Sequence, residues 1–288
     1  RGPPQGGRNR GHDQLGPDPA DPDQQGRDGA CPIPSRFQAI LPASLEMAPL
    51  RIGILQVNHD KSEDIGDRFP DDSHRFRDLF DELDTRFRYR VYMTIGGELP
   101  ESPDEQDGFL ITGSPLSALD DSLPWLAGLM DFIRECDRAK VPMIGACFGH
   151  QAIARALGGR LVKREGGYNI GVEPHEFVEV PPGLDRRPEM PAFHMFHEDE
   201  VAALPPGCRL VARTAGCGIA GFRKDAHILT LQAHPEFHND FMNALLDQMA
   251  GGSETPLLKA ARASLSQGTD GAAFARWAQA FYAGGGRP

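Results

Sequence analysis

Nothing constrains the fold of this chain more than Val141-Pro142-Met143-Ile144-Gly145-Ala146-Cys147-Phe148-Gly149-His150-Gln151. An apolar run ends at Gly145, Cys147 follows two positions later, and residues 151–157 form a helix-like segment stopped by Gly158-Gly159. The pattern predicts a strand, a sharp turn and a helix with the cysteine on the turn, the layout of a strand–nucleophile–helix elbow. Small residues beside a nucleophile let the backbone bend tightly and let a substrate approach. A thiol at a helix N-terminus lies near the positive end of the helix dipole, which favours thiolate. A cysteine in an apolar run otherwise serves as a small hydrophobe. The flanking glycines and the switch from strand to helix argue for a reactive one.

A second stretch supplies the partners such a thiol needs. Residues 228–233 alternate as a strand and run into His234-Pro235-Glu236-Phe237. A histidine and a carboxylate two positions apart, just past a strand end, can act as a base and the group that orients it. Their distance from Cys147 along the chain means that the fold must bring them to it.

Together, Gly145-Ala146-Cys147-Phe148-Gly149-His150-Gln151 and His234-Pro235-Glu236 resemble the signature of the class I glutamine amidotransferases, most closely the glutaminase domain of GMP synthase and its free-standing relatives. The resemblance runs from about residue 50 to about residue 243. It implies an α/β fold with a central, mostly parallel sheet flanked by helices, the flavodoxin-like class I glutaminase fold, and a small antiparallel β extension. It also implies Cys147 as nucleophile, His234 as base and Glu236 as the residue holding the imidazole, in a mechanism that needs no metal and no cofactor. The turn Gly113-Ser114-Pro115 would give an oxyanion donor at Gly113, with the peptide N–H of Phe148 as the second. Gln151 would lie near the amino-acid end of the substrate, although on pattern alone it reads as a helix-surface glutamine. Residues 193–201 resemble the family's Ser-His-x-Asp segment. His197 and Asp199 match it, and Phe196 stands where serine is common. His197 either lines the glutamine pocket or anchors a loop, and His194 and His197 taken singly read as structural.

Element order supports the same class. Residues 50–57, 87–95, 108–112 and 141–146 read as strands, and residues 71–83 and 123–139 as helices, with Asp120, Asp121 and Ser122 as candidate caps of the second. This alternation argues for a parallel sheet, whose ligand would sit beyond the carboxyl ends of the strands, where Gly113, Cys147 and His234 all fall. After Gly159 the pattern turns β-rich, with residues 160–163, 169–180, 208–213 and 217–223 as short strands. Helices are expected at 239–249, with Asn239 as its cap, and at 255–265 and 271–282. The stripe Phe274, Trp277, Ala278 and Phe281 either packs on the domain or forms a dimer or partner surface.

The chain has 288 residues and 40% hydrophobic content, enough for a substantial core. Residues 1–46 are a Gly/Pro-rich leader expected to be disordered, 47–250 the amidotransferase-like domain, and 251–288 a C-terminal helical extension. A net charge of −11 disfavours nucleic acid as a partner, and no apolar run is long enough to predict a membrane span. Five cysteines without a CxxC pair favour a reducing cytoplasm. No phosphate-loop motif of the ATP-pyrophosphatase kind occurs in the chain. Three functions fit: a glutaminase passing ammonia to a separate synthase, a γ-glutamyl peptidase acting on another γ-glutamyl small molecule, or a non-catalytic binding module. The intact Cys147, His234 and Glu236 argue against the third.

Overall fold

The computed structural model describes Gly2, residues 48–83 and residues 86–284, so the leader expected at 1–46 lies, apart from Gly2, outside the described residues. Met47–Pro288 forms one compact unit. Strands and helices alternate through its first half: β1 (Arg51–Leu55), α1 (Asp72–Asp81), β2 (Arg88–Tyr92), β3 (Gly108–Ile111), α2 (Leu126–Ala139), β4 (Met143–Ala146) and α3 (Phe148–Ala156). Then come β5 (Arg160–Lys163), β6 (Asn169–Pro174), β7 (Glu176–Phe177), β8 (Ala192–His197), β9 (Asp199–Ala203), β10 (Arg209–Arg213), β11 (Gly221–Lys224) and β12 (Ile228–Leu231). Three helices close the described chain: α4 (Asn239–Ala250), α5 (Pro256–Ser264) and α6 (Gly271–Gly284).

The main sheet runs β2-β1-β3-β4-β12-β11-β10-β7. Its first five strands pair in parallel and its last three join antiparallel. The pairs β5/β9 and β6/β8 form two small antiparallel sheets. Strands β3, β4 and β12 are buried at every position, and β1 at all but its first. Helices cover both faces of such strands, which is why β1, β3 and β4 read as apolar runs; β12, read as alternating, is buried at Thr230 as well.

The helices confirm the periodic stripes and correct two caps. On α1, Asp71 accepts from the His74 amide, and Phe76, Leu79 and Phe80 face the core. α2 begins at Leu126 after Trp125, which makes no side-chain cap bond. The expected caps are used elsewhere: Asp120 Oδ1 accepts from the Ser122 amide at 2.9 Å, closing its own turn. Asn239 is the first helical residue of α4, behind His238, and is not its cap. Its Nδ2 donates to the Leu265 carbonyl at 3.2 Å and so ties α4 to the end of α5. Residues 193–201, which carry the Ser-His-x-Asp-like segment, form most of β8 and β9, with Glu198 at the bend between them.

The α6 stripe packs on the domain. Phe274, Trp277, Ala278 and Phe281 are buried in the core cluster that holds Phe76 and Phe80 of α1. Tyr282 Oη donates to the Phe109 carbonyl at 2.8 Å, fastening α6 to β3. Among the described residues no helix is long and apolar enough to cross a membrane. Because α6 covers one face of the sheet, Phe281→Ala is expected to lower unfolding free energy by about 3 kcal/mol in chemical denaturation. A change below about 1 kcal/mol would show that α6 is not part of the cooperative core.

Candidate active site

Cys147 sits between β4 and α3 with φ +48° and ψ −103°, outside the regions that side chains ordinarily allow. Such a conformation costs about 1–3 kcal/mol and persists only where its surroundings hold it. Here the Cys147 amide donates to the Leu231 carbonyl of β12 at 2.9 Å, and its carbonyl accepts from the Gln151 amide of α3 at 3.1 Å. The neighbouring glycines let α3 press onto the sheet: a Cβ at Gly145 would stand 2.6 Å from the Gly149 carbonyl, and one at Gly149 would stand 2.4 Å from the Ile111 carbonyl oxygen. Phe148 opens α3, so its N–H has no acceptor within the helix. Its side chain is fully buried against Trp125 and contributes packing only.

His234 enters from the end of β12. Its amide donates to the His194 carbonyl at 2.8 Å, pinning the segment to β8, and its Nδ1 bonds Glu236 Oε1 at 2.8 Å. Both side chains are buried. Gly113 closes the third side, at the end of β3. A Cβ there would lie 2.6 Å from His234 Cε1 and 3.7 Å from Cys147 Cβ, so only glycine leaves room for the imidazole. Cys147, His234, Glu236 and the Gly113 turn therefore converge where three adjacent parallel strands end.

Charge binds this group together. Burial alone would lower the His234 pKa, but the negative charges of Cys147 and Glu236 and hydrogen bonds to both outweigh it and raise it to about 10. The protonated imidazole is thus favoured in a site of low dielectric. The other histidines near the site behave oppositely. Burial lowers His197 to about 4, and burial with the charges of His234 and His238 lowers His194 to about 4.

The remaining expected residues differ in what they touch. Gln151 is not on a helix surface: it is buried, and its Nε2 donates to the Asp199 carbonyl at 2.8 Å and to Gln232 Oε1 at 3.2 Å. His197 Nδ1 bonds the Asp199 carbonyl at 2.9 Å, and its Nε2 faces Asn169 Nδ2 at 3.4 Å. Gly113, Cys147, Gln151, His197 and His234 all line one cavity of about 940 Å³. Phe148 and Glu236 stand behind its wall.

Sequence reasoning passed over Phe237. Its ring stacks on His234 with centroids 3.9 Å apart and planes at 18°, so the imidazole is clamped between it and Gly113. Phe241 meets Phe237 edge-on at 4.7 Å, and the Arg75 guanidinium lies 3.9 Å from the Phe241 centroid. Arg75 is itself held by Asp72 Oδ1 at 2.5 Å. The place of Phe237 directly after His234-Pro235-Glu236 was the available signal, but a phenylalanine there reads equally well as core.

Removal of the thiol should release His234. In Cys147→Ala the imidazole loses its strongest charge partner, and its pKa is expected to fall by roughly one to three units. Imidazole NMR across pH 5 to 11 checks this, and an unchanged titration would mean that Cys147 and His234 are not electrostatically coupled.

The chain matches the family model "Glutamine amidotransferase class-I" over residues 83–247, more than half its length. It is 29% identical over 177 residues to gamma-glutamyl peptidase 3 of Arabidopsis thaliana, covering 56% of this chain and 68% of that one. To the glutamine-hydrolyzing GMP synthase subunit of Methanosarcina mazei it is 39% identical over 137 residues, 46% of this chain and 66% of that one. The matched segments thus span about two thirds of those relatives. The crystal structure of a glutamine amidotransferase from Methylobacillus flagellatus superposes with a TM-score of 0.61 at 24% identity, covering 83% of this chain and 96% of the other, a likeness of fold. The chain belongs to the class I glutamine amidotransferase family and is an enzyme of hydrolase type.

Proposed function

We propose that this enzyme hydrolyses γ-glutamyl amide bonds through a thioester on Cys147, and that its substrate carries a substituent on the amide nitrogen. The cavity beside Cys147 carries this reading. At about 940 Å³ it lies near the top of the range for sites that enclose drug-sized ligands, far more than one glutamine fills. The relatives named gamma-glutamyl peptidase support it.

In the proposed reaction the Cys147 thiolate attacks the γ-carbonyl carbon and a carbon–sulfur bond forms. The oxyanion is met by the N–H groups of Gly113 and Phe148. Collapse of the tetrahedral intermediate breaks the carbon–nitrogen bond, and imidazolium His234 gives its proton to the departing amine. Neutral His234 then takes a proton from water as the water oxygen attacks the thioester. The carbon–sulfur bond breaks and glutamate leaves. Glu236 keeps the imidazole oriented and balances its charge. Gln151 and His197, each committed to bonds inside the protein, shape the wall that holds the glutamyl end.

A second reading, glutamine hydrolysis supplying ammonia to a separate synthase, is favoured by the identity to the GMP synthase relative. The same residues would serve it, with ammonia as the departing amine. A reducing compartment such as the cytoplasm suits either. Cys136, Cys147, Cys208 and Cys217 are free thiols, and burial raises the pKa of Cys208 to about 11 and of Cys217 to about 12.

Glutamate release by the full chain from glutamine and from γ-glutamyl dipeptides separates the two. Dipeptide cleavage with little glutaminase activity is expected, and cleavage of glutamine alone would favour the second reading. Cys147→Ala should lose at least about 10³-fold in kcat; wild-type rates in that variant would remove Cys147 from the mechanism. Gly113→Ala, by pushing His234 aside, is expected to cost about 10²–10³-fold in kcat with the circular dichroism spectrum unchanged.

A further inference from the structure

Resting on the γ-glutamyl amide reading above, we infer that the departing amine is apolar, large enough to carry a ring, and without a carboxylate. The position of the base fixes where that amine lies. His234 must reach the leaving nitrogen to protonate it, so the nitrogen substituent projects along the His234 side of the cavity. That side is aromatic. Phe237 stacks on His234, Phe241 meets Phe237 edge-on, and Phe69 meets Phe241 edge-on at 5.3 Å. Leu245 continues the wall.

A second aromatic pair borders the thiol. Cys147 Sγ lies 3.8 Å from the Phe196 carbonyl oxygen, and the Phe196 ring packs against Tyr168 with centroids 5.8 Å apart. Both rings are half-buried and both line the cavity. Phe196 occupies the position where the resembled segment commonly carries serine. The substitution turns a small polar site beside the nucleophile into apolar surface, which favours burial of an apolar substituent over a hydrated one.

Charge excludes a carboxylate from the same region. The stretch 58–72 and the start of α1 bring Asp60, Asp67, Asp71 and Asp72 to the cavity against Lys61 and Arg75. Asp72 and Arg75 are spent on each other, as are Glu198 and Lys163 of the same lining, and Asp71 is shared with His74, which leaves Asp60, Asp67 and Asp199 facing Lys61. An amino-acid leaving group would bring its own carboxylate into like charge, and a simple amine would not.

Three compounds isolate these features: γ-glutamyl-ethylamide, γ-glutamyl-phenethylamide and γ-glutamyl-phenylalanine, measured beside glutamine with the full chain. The two alkylamides have leaving amines of similar basicity and differ in the ring. Phenethylamide is expected to exceed ethylamide by about 30-fold or more in kcat/KM, and to exceed γ-glutamyl-phenylalanine by about threefold or more. In Phe196→Ser, and independently in Tyr168→Ala, the ratio of phenethylamide to ethylamide is expected to fall about fivefold. Equal kcat/KM for the two alkylamides overturns the inference and leaves γ-glutamyl hydrolysis standing. Faster cleavage of γ-glutamyl-phenylalanine than of phenethylamide overturns the exclusion of the carboxylate. Cleavage of none of the four compounds, or of glutamine alone, overturns the underlying reading as well.

Discussion

The left-handed backbone at Cys147 cannot be sustained by its own residues. It holds because β12 accepts its N–H, α3 donates to its carbonyl, and two side-chain-free positions let α3 lie almost on β3 and β4. The bond to Leu231 exists only when β12 lies beside β4, and the close approach of Gly149 to Ile111 only when β3 does. The strand order that over-determines the elbow also delivers Gly113, Cys147 and His234 to one edge, since they follow the ends of those three strands. Strain, topology and site are thus one constraint seen at three scales.

Burial then sets the character of the charges. In water charged groups attract weakly; enclosed among Gly113, Phe237 and Glu236 the imidazole feels its neighbours far more strongly, and His234 holds its proton well above the usual range. The aromatic ring on one face and the glycine backbone on the other fix the plane of the imidazole without taking a hydrogen bond from it. Behind this layer, burial raises the Asp72 carboxyl against the pull of Arg75. The field at His234 is therefore shaped by α1 as well as by the residues that flank it in sequence.

Much of this was legible in the chain. β1, β3 and β4 announced themselves as short apolar runs because both faces of each are covered, β12 read as a strand by its alternation, and the α1 stripe showed which side of that helix faces inward, whereas the α6 stripe left packing and a partner surface both open. The place of Cys147 on a strand-to-helix turn and the pairing of His234 with Glu236 were legible because glycine, strand end and short spacing are local signals. What failed was non-local. Asp120 and Ser122 have cap chemistry, yet a turn captured them before Leu126 could begin the helix. Asn239 looked like a cap, but Leu265 claimed its amide. Gln151 read by pattern as surface, because its partners Asp199 and Gln232 arrive from strands far along the chain. Phe237 carries no periodic mark that separates a ring stacked on a base from one filling a core.

The position of β12 in the sheet has a consequence for when the site comes into being. The Cys147 elbow closes on the Leu231 carbonyl, and His234 follows three residues later, so both wait for a strand that inserts beside β4 only after residues 148–227 have been laid out. Long-range parallel pairing of this kind forms slowly, since loop closure precedes any compensating contact. Until then Cys147 has neither its bent backbone nor its charge partner and behaves as an ordinary thiol. The bent backbone and the charged neighbour of Cys147 are thus supplied by the last strand of the sheet in chain order, and not by the residues around it in sequence.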